Sequence, residues 1–210
     1  EGKESVMLRG VDNNKDQTYF LCQLNQNQLN NSLFPIGELT KPEVRKIAEE
    51  LDLPVAHKKD STGICFIGER DFREFLKNYI PAKSGKMVDI VSKKVIGEHQ
   101  GIMYYTIGQR KGLGIGGNGE PWFVVGKDYD KNILYIAQGD SNKWLLSHGA
   151  LITDVNWISA TKPEGEYDCT AKFRYRQKDN DVSLHFIDET TLYVTFKKPI
   201  KAVTPGQAAV

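Results

Sequence analysis

The chain has 210 residues, of which 40% are hydrophobic and 26% charged, and its formal net charge is +1. This composition suits an ordinary globular protein with room for one large or two to three small domains. It excludes a globally basic nucleic-acid binder, so any RNA site must be a local cluster of Lys and Arg.

No run approaches the ~18 apolar residues a membrane helix needs. Glu1-Gly2-Lys3-Glu4 has neither the basic nor the apolar region of a secretory signal. The missing initiator Met is the mark expected of a piece of a longer chain. Cys22, Cys65 and Cys169 are odd in number and widely spaced, so no disulfide framework is expected. No C-x-x-C pair is present, and His57, His99, His148 and His185 lack ligand spacing, so no metal site is expected. A reducing cytoplasm and no membrane partner are expected.

Ser5 to Arg9 reads as a strand and Gly10 to Gln17 as a polar loop; Thr18 to Leu24 is apolar and fits helix or strand. Thr40 and Glu43 form a capping box, and Val44, Ile47, Ala48 and Leu51 make the stripe of a helix that ends before Pro54. A second helix is expected from Asp71, with Glu74 in the boxed position, the stripe Phe72, Phe75, Leu76 and Tyr79, and Pro81 as its stop. Beyond Pro81 the chain reads as β structure. Strands are expected over Met87–Val91, Lys94–Gly97, Met103–Thr106, Trp122–Gly126 and Ile133–Ala137, the last two joined by a hairpin turn at Asp128–Asn132. A break over Gln138–Ser147 precedes a final block: Leu151–Ile158, Cys169–Arg176, Val182–Ile187, Thr191–Phe196 and Ile200–Val203. Five strands at such spacing suggest a small barrel or sandwich, and Ala208-Ala209-Val210 reads as part of another strand.

Cys65 lies in His57-Lys58-Lys59-Asp60-Ser61-Thr62-Gly63-Ile64-Cys65-Phe66-Ile67-Gly68-Glu69. Nearby cations and a tight turn with open N–H groups favour a thiolate, and so a nucleophile. Its apolar neighbours favour a small core residue, which is the commoner fate of a free Cys; from the residues alone both readings stand. Cys22 and Cys169 read as core filler. Gly114 to Gly119 matches G-x-G-x-x-G, but Pro121-Trp122-Phe123 reads as a strand where a helix N-terminus is required, so a surface loop open to RNA is preferred to a nucleotide site. In Cys169–Arg176, a strand would put Lys172, Arg174 and Arg176 on one face, either as a phosphate-binding stripe or as a solubilising surface. Gln109-Arg110-Lys111 and Lys197-Lys198 add basic points.

These stretches resemble the tRNA-specific 2-thiouridylase family. The resemblance is carried by Gly10-Val11-Asp12, Asn14 to Leu21, Phe34 to Gly37, Lys41 to Arg45, Lys59 to Glu69, Gly101 to Arg110, Trp122 to Lys127, Phe173 to Gln177 and Thr204 to Ala208, in family order over nearly the whole chain. It implies an α+β fragment. Residues 1–67 would be the remnant of an α/β PP-loop (Rossmann-like) catalytic domain, 68–140 a small central, mainly β domain, and 141–210 an antiparallel β-barrel that binds tRNA.

The implied reaction is ATP-dependent 2-thiolation of the wobble uridine in tRNAs for Lys, Glu and Gln. The C2 oxygen is adenylated, and sulfur arrives from a sulfur-relay donor protein as a persulfide on a catalytic cysteine, with a second cysteine taking part in a disulfide. Cys65 matches the persulfide carrier. Lys15, Asp16, Gln17, Arg174, Tyr175 and Gln207 match tRNA contacts. The Ser-Gly-Gly-x-Asp-Ser phosphate loop and the Asp-x-x-Cys segment are missing, so Mg-ATP is expected to bind outside this chain, and the chain alone is expected to be inactive. The family's last strand is also missing, which would leave a barrel edge open. Two other readings compete: a non-catalytic RNA-binding barrel, and a thiol redox protein. The latter would need a resolving cysteine near Cys65.

Overall fold

A computed structural model of the protein describes residues 4–59, 72–159 and 161–210, with the backbone alone for 72–74. The word around Cys65 therefore lies outside the described residues. The chain divides into one unit of Glu1–Ser61, Gly149–Lys197 and Gln207–Val210 and another of Thr62–His148 and Lys198–Gly206.

In the first unit, α1 (Gln26–Asn30) starts from a capping box between Asn25 and Gln28. Helix α2 (Lys41–Glu50) starts from Thr40, whose N–H and hydroxyl both donate to the Glu43 carboxylate at 2.7 and 2.6 Å. Pro42 sits in the first turn, where its missing N–H removes no helical bond. The helix stops before Pro54 is reached. Asp52 turns left-handed (φ 49°), Asp52 N–H donates to Glu49 O, and Leu53 N–H donates to Ala48 O, so the last carbonyls are satisfied. The expected stripe is only half covered: Val44 and Ala48 are half-buried, while Ile47 and Leu51 are 41% and 65% exposed.

Ser5–Arg9 is not a strand. Its backbone is met by a side chain instead: Ser5 N–H donates to Gln26 Oε1, and Gln26 Nε2 donates to Ser5 O. The ambiguous run after Gln17 becomes a short 3-10 turn, Thr18–Leu21.

Strands β5 (Leu146–Ile152), β6 (Tyr167–Ala171), β7 (Asn180–Phe186) and β8 (Leu192–Lys201) form a sheet in the order β5-β8-β7-β6. β6–β7 and β7–β8 are antiparallel. Four described strands stand where five were expected, in an open order rather than a closed barrel. The strand expected at Leu151–Ile158 begins earlier, inside the expected break. Thr191–Phe196 and Ile200–Val203 are not two strands, because β8 runs through Pro199. Pro199 lies beyond the ladder to β7, which ends at Phe196. β6 ends at Ala171, so Lys172, Arg174 and Arg176 do not form a strand face. The tail does behave as a pairing segment: Val210 and Lys172 exchange two backbone hydrogen bonds, at 2.6 and 2.9 Å. Val182, Leu184, Val194, Phe196 and Phe173 are buried, with the rings of Phe173 and Phe196 4.8 Å apart.

In the second unit, α3 (Phe72–Lys77) ends earlier than the stripe implied, and Tyr79 is 70% exposed. Strands β1 (Gly85–Asp89), β2 (Val95–His99), β3 (Trp122–Asp128) and β4 (Ile133–Gln138) form a sheet in the order β2-β1-β4-β3, with β1 and β4 parallel. The expected β3–β4 hairpin forms. Asp128 Oδ1 accepts Lys131 N–H, and Asn132 takes φ 53°. Met103–Thr106 is not a strand but overlaps the 3-10 turn Ile102–Tyr104. Gly101 causes this. Its φ is 139°, and a Cβ there would meet Met103 Sδ and the Tyr104 ring at 2.9 Å. The turn sends Ile102 and Tyr105 into a core with Met87, Leu113, Val124, Leu134 and Ile136.

His99 is buried beside that core, 1% exposed. Its Nδ1 accepts Gly101 N–H at 3.1 Å, so Nε2 carries the proton and faces Asn132 O at 3.2 Å. Gly85 makes room for this pair, since a Cβ there would stand 2.2 Å from Asn132 O and 2.7 Å from His99 Nε2. Burial pulls the imidazole pKa below its ordinary 6.5, against the opposing bond to Asn132. The unfolded chain thus binds this proton more readily than the folded one. The stabilisation is complete above pH 6.5 and declines as pH falls below it. Denaturant midpoints should drop between about pH 7.5 and about pH 5.5, and His99→Gln should flatten that drop. An equal drop in the variant would assign the effect to other groups.

Candidate nucleic-acid interface

The polar loop after Gly10 is organised by its own carboxylates. Asp12 Oδ1 accepts Asn14 N–H at 2.9 Å, and its Oδ2 accepts Lys41 N–H, the first donor of α2, at 2.9 Å. Asp16 accepts from Gly10 N–H, Thr18 N–H and Thr18 Oγ1 at 3.2, 3.3 and 2.8 Å. Burial works against the Asp16 carboxylate, but the bonds from Thr18 and Gly10 and the charge of Lys172 hold its pKa below the ordinary value. Between these anchors Lys15 is half-buried and Gln17 is exposed.

The 3-10 turn then presents two aromatic rings. Tyr19 donates its hydroxyl to Ala208 O at 2.8 Å, and Gln17 Nε2 donates to the Tyr175 hydroxyl at 3.0 Å. The rings of Tyr19 and Phe20 stand edge to face, 5.5 Å apart, and Phe20 and Tyr175 are 4.5 Å apart. Tyr175 is carried by a tight turn: Gln177 N–H donates to Arg174 O, and Gln177 Oε1 accepts Phe173 N–H. Buried Phe173 roots this turn, and Arg176 completes it in the left-handed region (φ 65°) with its guanidinium 5.5 Å from the Tyr175 ring centroid. Arg174 is half-buried; desolvation pulls its pKa down, yet an arginine stays a cation at neutral pH. An Arg9–Asp179 ion pair at 2.7 Å ties the segment before the loop to the start of β7.

Five of the six residues expected to hold RNA, namely Lys15, Asp16, Gln17, Arg174 and Tyr175, thus lie in one neighbourhood built from segments more than 150 positions apart in sequence. Gln207 is exposed and precedes the carbonyl that binds Tyr19. Sequence reasoning missed Tyr19, Phe20 and the Arg9–Asp179 clamp. A pair of aromatic residues directly after a polar loop was the available signal.

Lys197 is paired with Asp168 at 3.0 Å. The glycine-rich segment lines a cleft of about 490 Å³ with Arg110, Glu120 and Trp122, and β3 rather than a helix follows it, so the dinucleotide context is absent. Cys22 and Cys169 are half-buried free thiols; burial and Asp168 push the Cys169 thiol pKa up, which disfavours its thiolate. Among the described residues no group of three or more His, Cys, Asp or Glu could hold a metal, and no helix is long and apolar enough to cross a membrane.

Three family models match in series: the tRNA methyl transferase HUP domain over residues 1–69, the tRNA methyl transferase PRC-barrel domain over 73–138, and the Aminomethyltransferase beta-barrel domain over 147–210. Proteins named tRNA-specific 2-thiouridylase MnmA from Bacillus cytotoxicus, Bacillus cereus and Bacillus thuringiensis are each 58% identical to the chain over 207 residues, which is 99% of this chain and 56% of each relative. The chain belongs to the tRNA-specific 2-thiouridylase family. It spans about half the length of these curated relatives. Both groups of residues singled out from the sequence fall inside matched stretches: Cys65 and Lys15 to Gln17 in the HUP match, and Arg174, Tyr175 and Gln207 in the beta-barrel match. The 2-thiouridylase relatives and the model descriptions differ in the group they name, sulfur in one and methyl in the other.

Proposed function

We propose that the chain is the carboxy-terminal part of an enzyme that replaces the C2 oxygen of a tRNA wobble uridine with sulfur, in tRNAs for Lys, Glu and Gln. Residues 1–67 are the end of a PP-loop catalytic domain, 68–140 a central domain and 141–210 a barrel-type tRNA-binding domain; the three matched stretches support these boundaries. Adenylation of the uridine oxygen by ATP, with loss of pyrophosphate, makes AMP the leaving group. Cys65 carries the persulfide sulfur that attacks C2, and a second thiol takes up the Cys65 sulfur as a disulfide when the S–S bond breaks. A persulfide-donating protein loads Cys65 in the cytoplasm. The nucleotide seat belongs to the rest of the complete protein, because no segment of this chain carries the phosphate loop.

One observation carries the RNA half of this reading: Gln17 bonds to Tyr175, so the loop Lys15–Gln17 and the turn Arg174–Tyr175 form one surface. Asp16 serves it from within. A carboxylate would repel a phosphate, and its three bonds instead fix the loop that aims Lys15 and Gln17. Lys15, Arg174 and Arg176 supply the cations that set affinity and salt dependence.

The test is tRNA binding by this chain across a salt series. Arg174→Ala should weaken binding about ten-fold and lower the slope of log affinity against log salt by about one. An unchanged slope would remove Arg174 from the interface. Nucleoside analysis of the product made by the complete protein separates thiolation from methylation by the mass gained on uridine.

A further inference from the structure

We propose that Tyr19, Phe20 and Tyr175 form a stacking platform for an unpaired nucleobase, with Phe20 supplying the contact face. This rests on the RNA reading above and adds a mode of recognition and a residue to it. Phe20 is 58% exposed, yet its ring is not loosely placed. Phe20 N–H donates to Gln17 O, closing the turn beneath it. Tyr19 stands at 89° to its ring, and Tyr175 lies 4.5 Å away at 47°. Both tyrosines are in turn latched, Tyr19 to Ala208 O and Tyr175 to Gln17. A large apolar ring is thus fixed with an open side, and little ordering remains to be done when a flat partner arrives.

The charges around it select the partner. Arg176 lies against Tyr175, and Lys15, Lys172 and Arg174 belong to the same two segments. The carboxylates nearby, Asp16 and Asp179, are occupied by the hydrogen bonds of the loop and by Arg9. A fixed aromatic face with Arg176 against one ring and further cations on the same segments suits a base whose own phosphates reach those cations. Paired bases in a duplex offer no open face, so the occupant is an unpaired nucleotide.

The experiment uses the full 210-residue chain. Its binding is measured to a short unstructured RNA and to an abasic oligomer of the same length. Phe20→Ala and Phe20→Leu should weaken RNA binding about five- to a hundred-fold, leave binding of the abasic oligomer and the salt slope unchanged, and leave the melting transition in place. Phe20→Leu keeps most of the apolar volume, so folding is separated from stacking. Phe20→Trp should restore or tighten RNA binding. RNA binding unchanged in both weakening variants, or an equal loss on the abasic oligomer, overturns the platform. Loss in Arg174→Ala without loss in the Phe20 variants removes the platform and leaves the RNA reading intact. If the parent chain binds neither oligomer nor tRNA, the RNA reading fails and the platform falls with it.

Discussion

Cys65→Ser in the complete protein is expected to abolish 2-thiouridine at the wobble position while leaving tRNA binding intact. The reason is chemical. A persulfide needs a sulfur that can hold a second sulfur and release it when a thiol attacks the S–S bond. A serine hydroxyl, with an alcohol's pKa and hard oxygen, is neither the nucleophile nor the leaving group for that exchange. No partial activity is expected from geometry alone, because the lost atom is part of the covalent path. The measurement is nucleoside mass spectrometry of bulk tRNA from cells in which the variant is the sole copy. Wild-type levels of thiouridine would end the assignment of Cys65 and leave its apolar neighbours Ile64 and Phe66 as the better guide to its role. Substitution of Cys22 or Cys169 should leave thiolation near normal if both are packing residues.

Leu134→Ala is expected to cost about 2–5 kcal/mol and to unfold the second unit first. Leu134 is wholly buried on β4, which lies between β1 and β3 in the sheet, opposite Met87 on one side and Lys127 on the other. It packs in a cluster with Met87, Ile102, Tyr105, Leu113, Val124 and Ile136. Truncation removes three carbon atoms from that cluster. The strands on either side are hydrogen-bonded in place and cannot close the gap, so the loss exceeds the transfer energy of the atoms themselves. Denaturant unfolding followed by tryptophan fluorescence should show an early transition, with Trp122 and Trp144 as reporters of this unit. A loss below about 1 kcal/mol would mean that the sheet repacks around the site.

The local signals were strong where one short stretch contains the whole cause. Thr40 and Glu43 declare the start of α2 because the capping box is made of residues three apart, and the structure forms it. The β3–β4 hairpin was legible because Asp128 and Asn132 complete their turn without outside help. The family was legible too, since Lys59 to Glu69 and Gly101 to Arg110 are long words whose order survives without any geometry.

The sequence alone therefore determined the family, the second sheet's approximate strand content, the first turn of α2, and Cys65 as the residue to test. Tertiary structure decided the rest. The alternation through Cys169–Arg176 looked like one strand, but burial of Phe173 and the bond from its N–H to Gln177 bend the chain after Ala171 and turn Tyr175 toward Gln17. Ser5–Arg9 looked like a strand, but the amide of Gln26 takes up the N–H and C=O of Ser5. The platform of Tyr19, Phe20 and Tyr175 could not be read from sequence for the same reason. Its parts stand more than 150 residues apart, and only chain folding, driven by burial and closed by backbone and side-chain hydrogen bonds, brings such distant groups within reach.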